Sequence, residues 1–205
     1  MAVITNFATL STAVGDYLNR SDLTSFVPNF IEGCENTIYK TLRIRAMENA
    51  LNVTISSGVA AVPTSPAYLE LKYAYVTTSP ITKLHHLPPE QIYEKYPTRS
   101  GGNVPKYISV EATNFIFGPY PGNYTINGVY YGRLTALSSG NTTNWFTANA
   151  PYLLLYGALL EAEPFLANDP RMVTWKAMFD LHYKAVRDEE LRQRSSGGSL
   201  ATRVA

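Results

Sequence analysis

The chain has 205 residues, of which 17 are basic and 16 acidic, so its formal net charge is +1. This balance excludes a simple duplex-DNA binder, which needs many more cations for phosphate contacts. The single cysteine, Cys34, excludes an internal disulfide framework and a zinc site built on cysteines. No apolar run approaches the length that spans a bilayer, so we expect no membrane partner.

Residues 1–46 are predicted to form two helices. Asn6 or Thr5 can cap the first helix, which carries apolar residues at helical spacing. Pro28 suits the first turn of the second helix. The apolar stripe of that helix consists of Val27, Ile31, Cys34, Ile38 and Leu42. Because Cys34 falls inside the stripe, we expect a buried structural thiol rather than a nucleophile.

Residues 47–140 contain short runs rich in Val, Ile, Thr, Tyr and Phe between prolines and glycines, which is the pattern of β-strands. Strands are predicted over 50–55, 59–62, 68–77, 81–84, 107–110, 115–117 and 124–131. Hairpin turns are expected at 56–58 and 121–123, and a short helix at 88–93 has proline in its first turn. The zone is interpreted as an insertion of mostly antiparallel β-structure.

Residues 141–194 return to helix. The segment 152–165 is uncharged over 152–160, so it must be buried on nearly every face, and we expect other copies of the chain to supply part of its cover. Asp169 and Pro170 mark the start of a last helix. The inner face of that helix is predicted to consist of Met172, Trp175, Phe179, His182 and Val186. Residues 195–205 have the composition of a linker and are interpreted as an extended tail.

The predicted fold is therefore α+β. A helical bundle, made of an N-terminal helix pair (1–46) and two C-terminal helices (141–194), is interrupted by the β-rich insertion (47–140). The extended tail (195–205) follows the bundle.

No catalytic residue, cofactor-binding residue or metal ligand can be assigned. The sequence has neither a GxxxxGK[ST] phosphate loop nor a GxGxxG motif. His85 and His86 are adjacent in a predicted strand and therefore point to opposite faces, while His182 lies in the apolar face of the last helix, where we expect a core histidine. Glu161 and Glu163 are two residues apart and do not face one another on a helix. We therefore expect no enzymatic activity and no cofactor.

Several segments along the chain, taken together in their order, resemble those of a known protein family. The N-terminal segments are VGDYLNRSDL at 14–23, FVPNFI at 26–31 and LRIRAME at 42–48. The middle segments are PPEQ at 88–91, GGNVPKY at 101–107 and YYGRLTALS at 130–138. The C-terminal ones are TNW at 143–145, PYLLLYGAL at 151–159 and Trp175. In this order the chain resembles the head-to-tail adaptor proteins of tailed bacteriophages, particularly those of short-tailed phages.

The resemblance implies a structural protein of the virion neck that is assembled in the host cytoplasm. Such adaptors form a ring of neighbouring subunits, typically twelvefold, beneath the portal protein. They extend the channel for DNA ejection and dock the tail nozzle, tube or fibre proteins, and we expect contact with DNA only in passing. Their C-terminal segment commonly reaches onto the portal. Here this implies portal docking by Arg192, Arg194, Ser199, Leu200 and Arg203.

Three aromatic residues are expected to be structural anchors. Trp145 would hold the junction between the β-rich insertion and the buried helix, Tyr152 lies in that helix, and Trp175 would pack it against the last helix. Ordinary core packing in a monomer is the alternative for both tryptophans. The fifteen tyrosines suit half-buried strands and interfaces equally well. They leave a second function open, a carbohydrate-binding or host-recognition module with exposed aromatic platforms.

Overall fold

The fold consists of a helical unit and a β unit. The computed structural model describes residues 3–166 and 169–195, the last two by their backbone alone. The helical unit comprises residues 1–46 and 134–205, and the β unit comprises residues 47–133. Residues 134–140, which the sequence analysis places in the β-rich insertion, group with the helical unit.

Seven α-helices lie within the described residues. They are α1 (Phe7–Leu18), α2 (Val27–Thr41), α3 (Pro89–Lys95), α4 (Trp145–Asn149), α5 (Pro151–Glu161), α6 (Glu163–Leu166) and α7 (Met172–Ser195). All except α3 belong to the helical unit. Two 3-10 turns, Ser21–Phe26 and Arg45–Met47, follow α1 and α2 along the chain.

The N-terminal helix pair forms as predicted. Asn6 caps α1, because its Oδ1 accepts from the backbone N–H of Thr9 at 2.9 Å while Thr9 Oγ1 accepts from the N–H of Asn6 at 3.0 Å. Asn19 ends α1 in the left-handed conformation, with φ 53°. Pro28 lies in the first turn of α2. The whole predicted stripe is buried, namely Val27, Ile31, Cys34, Ile38 and Leu42.

The helix predicted over 152–165 is divided in the structure. The helix α5 ends at Glu161, and the short α6 carries Pro164. Proline has no N–H and its ring clashes with the preceding turn, so it ends an α-helix that arrives from its N-terminal side. The last helix, α7, begins at Met172 rather than at Pro170. Asp169 forms the turn before it, because its Oδ1 accepts from the N–H of Arg171 at 2.8 Å and its carbonyl accepts from Met172 at 3.1 Å.

The β unit contains seven strands, each of which overlaps a predicted one. They are β1 (Glu48–Thr54), β2 (Val59–Ala61), β3 (Tyr68–Val76), β4 (Thr82–His86), β5 (Tyr107–Glu111), β6 (Asn114–Gly118) and β7 (Thr125–Gly132). Their order in the sheet is β1-β7-β3-β4-β5-β6-β2. Every paired neighbour is antiparallel except β4 and β5. The α+β fold with a mostly antiparallel sheet is therefore confirmed.

The hairpin turn predicted at 56–58 forms, whereas the one at 121–123 does not. At 56–58 the chain reverses with φ 50° at Ser57 and φ 80° at Gly58, and Ser56 and Val59 exchange two backbone hydrogen bonds across the turn, at 2.8 and 3.2 Å. Beyond this bridge β1 pairs with β7 and β2 pairs with β6, so the turn joins the two ends of the strand order. The residues at 121–123 connect β6 to β7, which are not neighbours. A tight hairpin that was not predicted is β5–β6, where Ala112 takes a positive φ of 52° without a glycine.

A single hydrophobic core holds the β unit together. Residues from both halves of the strand order contribute to it, and it comprises Leu51, Ile55, Ala60, Ala74, Val76, Leu84, Ile108, Phe115, Phe117, Ile126 and Tyr130. The sheet therefore curls around one apolar interior.

Candidate functional site

The helix α5 lies at the centre of the helical unit, in contact with α1, α2, α4 and α7. Its buried residues occupy about two-thirds of the circumference of the helix and comprise Leu153, Leu154, Leu155, Gly157, Ala158 and Leu159. The sequence analysis expects other copies of the chain to supply part of this cover. The structure instead covers these six residues with helices of the same chain.

Cys34 of α2 packs against α5 at Gly157. A Cβ added at Gly157 would overlap Cys34 Sγ and would lie 3.0 Å from Cε2 of Phe179 on α7. The absence of a side chain at Gly157 thus allows α2, α5 and α7 to meet at one level. Cys34 is buried, and burial raises the pKa of its thiol. The prediction of a structural thiol is therefore confirmed, since a nucleophile needs accessible thiolate.

Aromatic rings join α5 to α7 along the rest of their contact. The His182 imidazole stacks between Tyr152 and Tyr156, with ring centroids 5.6 and 5.8 Å away. Tyr17 of α1 meets Tyr156 edge-on at 6.4 Å. This pile of rings fixes α7 laterally on α5, because stacked and edge-on pairs add directional contacts to burial.

A buried carboxylate on α2 anchors the segment through which the chain returns to the helical unit. Glu35 is 1% exposed. Its Oε1 accepts from Nδ2 of Asn144 at 2.7 Å, and its Oε2 accepts from the N–H of Leu137 at 3.2 Å. Burial raises the pKa of this carboxyl, and the two hydrogen bonds oppose that effect only in part.

Asn144 connects this carboxylate to the start of α4. Its Oδ1 accepts from the N–H groups of Phe146 and Thr147 at 3.0 and 3.3 Å, so the same side chain caps α4 and binds Glu35. A second buried carboxylate, Glu190 of α7, accepts from the N–H of Arg45 at 2.9 Å. The chain is thus held by a buried glutamate on each side of the β unit, at Arg45 before it and at 137–144 after it.

Arg171 holds the start of α7 against the end of α1. Its guanidinium donates to the carbonyl of Tyr17 at 2.8 Å and to that of Leu18 at 3.4 Å, both in the last turn of α1. It also pairs with Asp169 and lies 4.9 Å from the ring of Trp175. One side chain therefore caps one helix and orients the next.

The β unit has its own group of tyrosines, and cations occupy their faces. The Arg99 guanidinium lies 5.1 Å from the ring centroids of both Tyr93 and Tyr120, and it donates to the carbonyl of Phe117 at 2.9 Å. Lys95 Nζ lies 4.5 Å from the ring centroid of Tyr107 and donates to its hydroxyl at 3.0 Å. These contacts stabilise α3 against the sheet by cation–π attraction.

Comparison with known protein families identifies the family of the chain. The family model described as SU10 adaptor protein matches the chain over residues 5–203. The chain belongs to this family of phage head-to-tail adaptors. No curated protein matches it.

Family membership states the role of this adaptor in outline. It is a bacteriophage structural protein that associates with portal and tail components at the virion neck. In the described part of the chain no helix is sufficiently long and apolar to cross a membrane. No group of three or more His, Cys, Asp and Glu side chains is placed to hold a metal ion in that same part. His85 and His86 are both exposed on β4.

The predicted anchor residues of the adaptor all lie in the helical unit. Trp175 is buried on the face of α7 that packs on α5, whereas Tyr152 is 38% exposed beside His182. Trp145 is half-buried at the start of α4, edge-on to Phe146 at 5.4 Å. Its contact with the β-rich insertion stays a prediction.

The predicted portal-docking residues lie at and beyond the end of α7. Arg192 is exposed on that helix, and the backbone of Arg194 continues it. Ser199, Leu200 and Arg203 lie outside the described residues.

Sequence reasoning missed the residues with the most connections in the helical unit, Glu35, Asn144 and Arg171. An acid next to Cys34 in an apolar stripe was one signal for Glu35. The order Asn144-Trp145-Phe146-Thr147 was the signal for the capping box of α4. Nothing local indicated that Arg171 reaches α1, since its partners lie more than 150 residues away in the sequence.

Proposed function

We propose that this adaptor forms a closed ring, a dodecamer, beneath the portal protein, where it extends the DNA channel and docks the tail nozzle, tube or fibre proteins. Assembly takes place in the host cytoplasm. The observation that carries the proposal is the family match, which runs through both units and reaches from residue 5 to residue 203.

The charge of the chain supports a channel role without tight DNA binding. Each copy has a formal net charge of +1. A wall that made many phosphate contacts would hold the passing DNA, because each neutralised phosphate adds to the affinity. A near-neutral ring meets DNA only in passing and lets it slide.

The C-terminal segment is the proposed portal contact. Arg192, Arg194 and Arg203 occur there with no acid between residues 192 and 205. The helix α7 continues from Glu190, whose carboxylate accepts from the N–H of Arg45, through Arg192 to Ser195. We propose that Arg192, Arg194, Ser199, Leu200 and Arg203 bind the portal.

A negative-stain experiment with purified portal rings tests this role. Full-length protein is expected to add a layer of density beneath the portal. A variant lacking residues 195–205 is expected to keep its far-UV circular dichroism and its urea midpoint but to leave the portal bare. A variant with Lys83 changed to Gln also loses one charged side chain, as the truncation loses Arg203, and should attach normally. Unchanged attachment of the truncated protein would refute the portal contact.

We also propose that the purified protein stays monomeric until it meets the portal, since a connector must not close before its template is present. Sedimentation velocity at micromolar concentration is expected to give one monomer boundary. Rings that form spontaneously at low concentration contradict this.

The alternative of a carbohydrate-binding or host-recognition module has weaker support. Sugar rings stack on open aromatic faces, but Arg99 and Lys95 already lie over the faces of Tyr93, Tyr120 and Tyr107. A glycan array separates the two functions, because the adaptor proposal expects no sugar binding.

A further inference from the structure

The helix α7 has a second apolar stripe on the side that faces away from α5. At 100° per residue, Val173, Ala177, Leu181 and Leu191 fall within one sector of about 80°, opposite Trp175 and the other inward residues. Val173, Leu181 and Leu191 are 79%, 59% and 55% exposed. The stripe runs about 27 Å along the helix at 1.5 Å per residue. Within the described residues, α5 packs on the inner side of α7, whereas these three side chains leave the outer side largely exposed.

A second exposed apolar surface lies around α6. The rings of Phe26 and Phe165 lie 5.2 Å apart, each about two-fifths exposed, and Phe165 also contacts the buried Phe30 with ring centroids 5.4 Å apart. We call these residues the phenylalanine patch. Two exposed acids lie close to it along the chain, Glu161 at the end of α5 and Glu163 at the start of α6. Among the described residues, Glu163 has no ion pair.

The charges around the two surfaces are opposite in sign. Along the outer side of α7, the cations Lys176, Lys184 and Arg187 outnumber the anions Asp180 and Asp188. Lys176 pairs with Asp180, and Arg187 with Asp188 at 3.8 Å, which leaves Lys184 without a partner in the described part of the chain. At 100° per residue Lys184 and Asp188 fall within the sector of the stripe, and Lys176, Asp180 and Arg187 lie at its border. This side of α7 thus has a net positive charge, whereas the acids beside the phenylalanine patch are negative. Facing charges of opposite sign favour this pairing and disfavour stripe against stripe.

We propose that the outer stripe of α7 in one copy packs on the phenylalanine patch of a second copy. This contact rests on the ring assembly proposed above and names its two faces. Because the faces differ, the contact is heterologous, and each copy binds one neighbour through α7 and the other through the patch. Such a contact repeats around a ring, whereas a contact of α7 with α7 would stop at a dimer.

Site-specific photocrosslinking tests the pairing in the assembled protein. Benzoylphenylalanine replaces Leu181 in the full-length chain, which is irradiated after mixing with portal rings and, separately, alone at rising concentration. We expect crosslinks between copies that map to the tryptic peptide 21–40 or 134–171, which carry the patch. Benzoylphenylalanine at Glu189, exposed on another side of α7, should give at most a tenth of this yield. The pairing would be overturned by crosslinks to α7 of another copy, to the portal or to residues 196–205 of the same chain. The absence of any crosslink would also overturn it.

A substitution provides an independent measurement. Leu181→Glu places a charge in the stripe and should reduce crosslinking between copies through Phe165 (Phe165→benzoylphenylalanine) at least tenfold. Ile81→Glu makes the same change at a comparably exposed residue of the β unit, 65% exposed, and should not alter the yield. Equal yields from both variants would overturn the proposal. If copies crosslink as expected while portal rings stay bare, the portal function fails and this contact stands.

Discussion

The meeting point of Gly157 and Cys34 makes a sharp test of how the helical unit is packed. Gly157→Ala adds a Cβ that overlaps Cys34 Sγ and touches Phe179 on the other side. Both neighbours belong to packed helices, so neither can move without shifting α2 or α7. Overpacking of this kind costs about 1–3 kcal/mol, and the overlap with sulfur places it at the upper end. Better helix propensity returns about 1 kcal/mol. The expected net loss in the free energy of unfolding is about 2 kcal/mol.

Urea denaturation followed by tryptophan fluorescence measures this loss within the helical unit. The two tryptophans, Trp145 and Trp175, both lie in the helical unit. With a slope of about 2 kcal/mol per molar urea, the midpoint should fall by about 1 M. Gly15→Ala is the matched control, because a Cβ there meets nothing within 4 Å in the middle of α1. It should raise the free energy of unfolding by about 0.5–1 kcal/mol.

A double variant identifies the cause of the loss. Cys34→Ala removes Sγ and leaves the Cys34 Cβ at 3.3 Å from the new methyl carbon, a tight distance that small shifts can absorb. The two substitutions together should therefore be at least about 1 kcal/mol more stable than the sum of their separate effects predicts. Wild-type stability for Gly157→Ala, or strict additivity in the double variant, would refute this account of the α2–α5–α7 packing.

Two further predictions concern charged groups in the same unit. Glu35→Ala leaves the buried N–H of Leu137 without its acceptor and leaves Nδ2 of Asn144 with only the longer bond to the carbonyl of Thr135, so it should cost about 2–3 kcal/mol of unfolding free energy. Because burial raises the pKa of Glu35, its folded form holds a proton that the unfolded chain has already released, so wild-type stability should fall as pH rises from its ordinary pKa through the raised value. Glu35→Gln should abolish that slope in urea titrations between pH 4 and 8, and an unchanged slope would assign it to another group. Arg171→Ala should cost about 1 kcal/mol, since the side chain is partly exposed. Arg171→Lys should recover less than half of this in thermal melts, because it lacks the planar fork that reaches two carbonyls, and full recovery would show that charge alone matters.

The helices and strands could be predicted because their signals are local. The stripe of Val27, Ile31 and Ile38 repeats every three or four residues, and each β run is bounded by turn residues. The pairing of strands is not local. The glycine turn at 56–58 predicts that the chain reverses, but it does not say whether β2 returns beside β1 or continues to β6. Nor did composition reveal a tight β5–β6 turn built on Ala112 in place of glycine.

The interior polar contacts were unpredictable for a related reason. Glu35 appears in the sequence as one acid on a helix, and most such acids face solvent. Its burial is tolerated only because Leu137 and Asn144 supply two donors from 102 and 109 residues further along the chain. The sequence shows the residue that needs compensation but not the residues that provide it. Fold class therefore follows from periodicity, whereas the residues that lock the fold follow from tertiary contacts.

Because tertiary contacts and not composition decide which apolar surface is covered, we place the proposed contact between copies on α7 and not on α5. From composition, α5 is the segment with too much apolar surface for one small domain, and α7 is an amphipathic helix of average character. In the structure α5 is satisfied by α1, α2, α4 and α7, so its hydrophobicity is accounted for within one copy. The exposed apolar surface of that contact belongs to α7. Its residues Val173, Leu181 and Leu191 are spread among lysines and aspartates, so they do not raise the mean hydropathy of any one sequence window. Because charged side chains separate them, these residues form a dispersed stripe rather than one continuous apolar patch. In the ring that we propose at the virion neck, the stripe would still provide a long contact with a neighbouring copy.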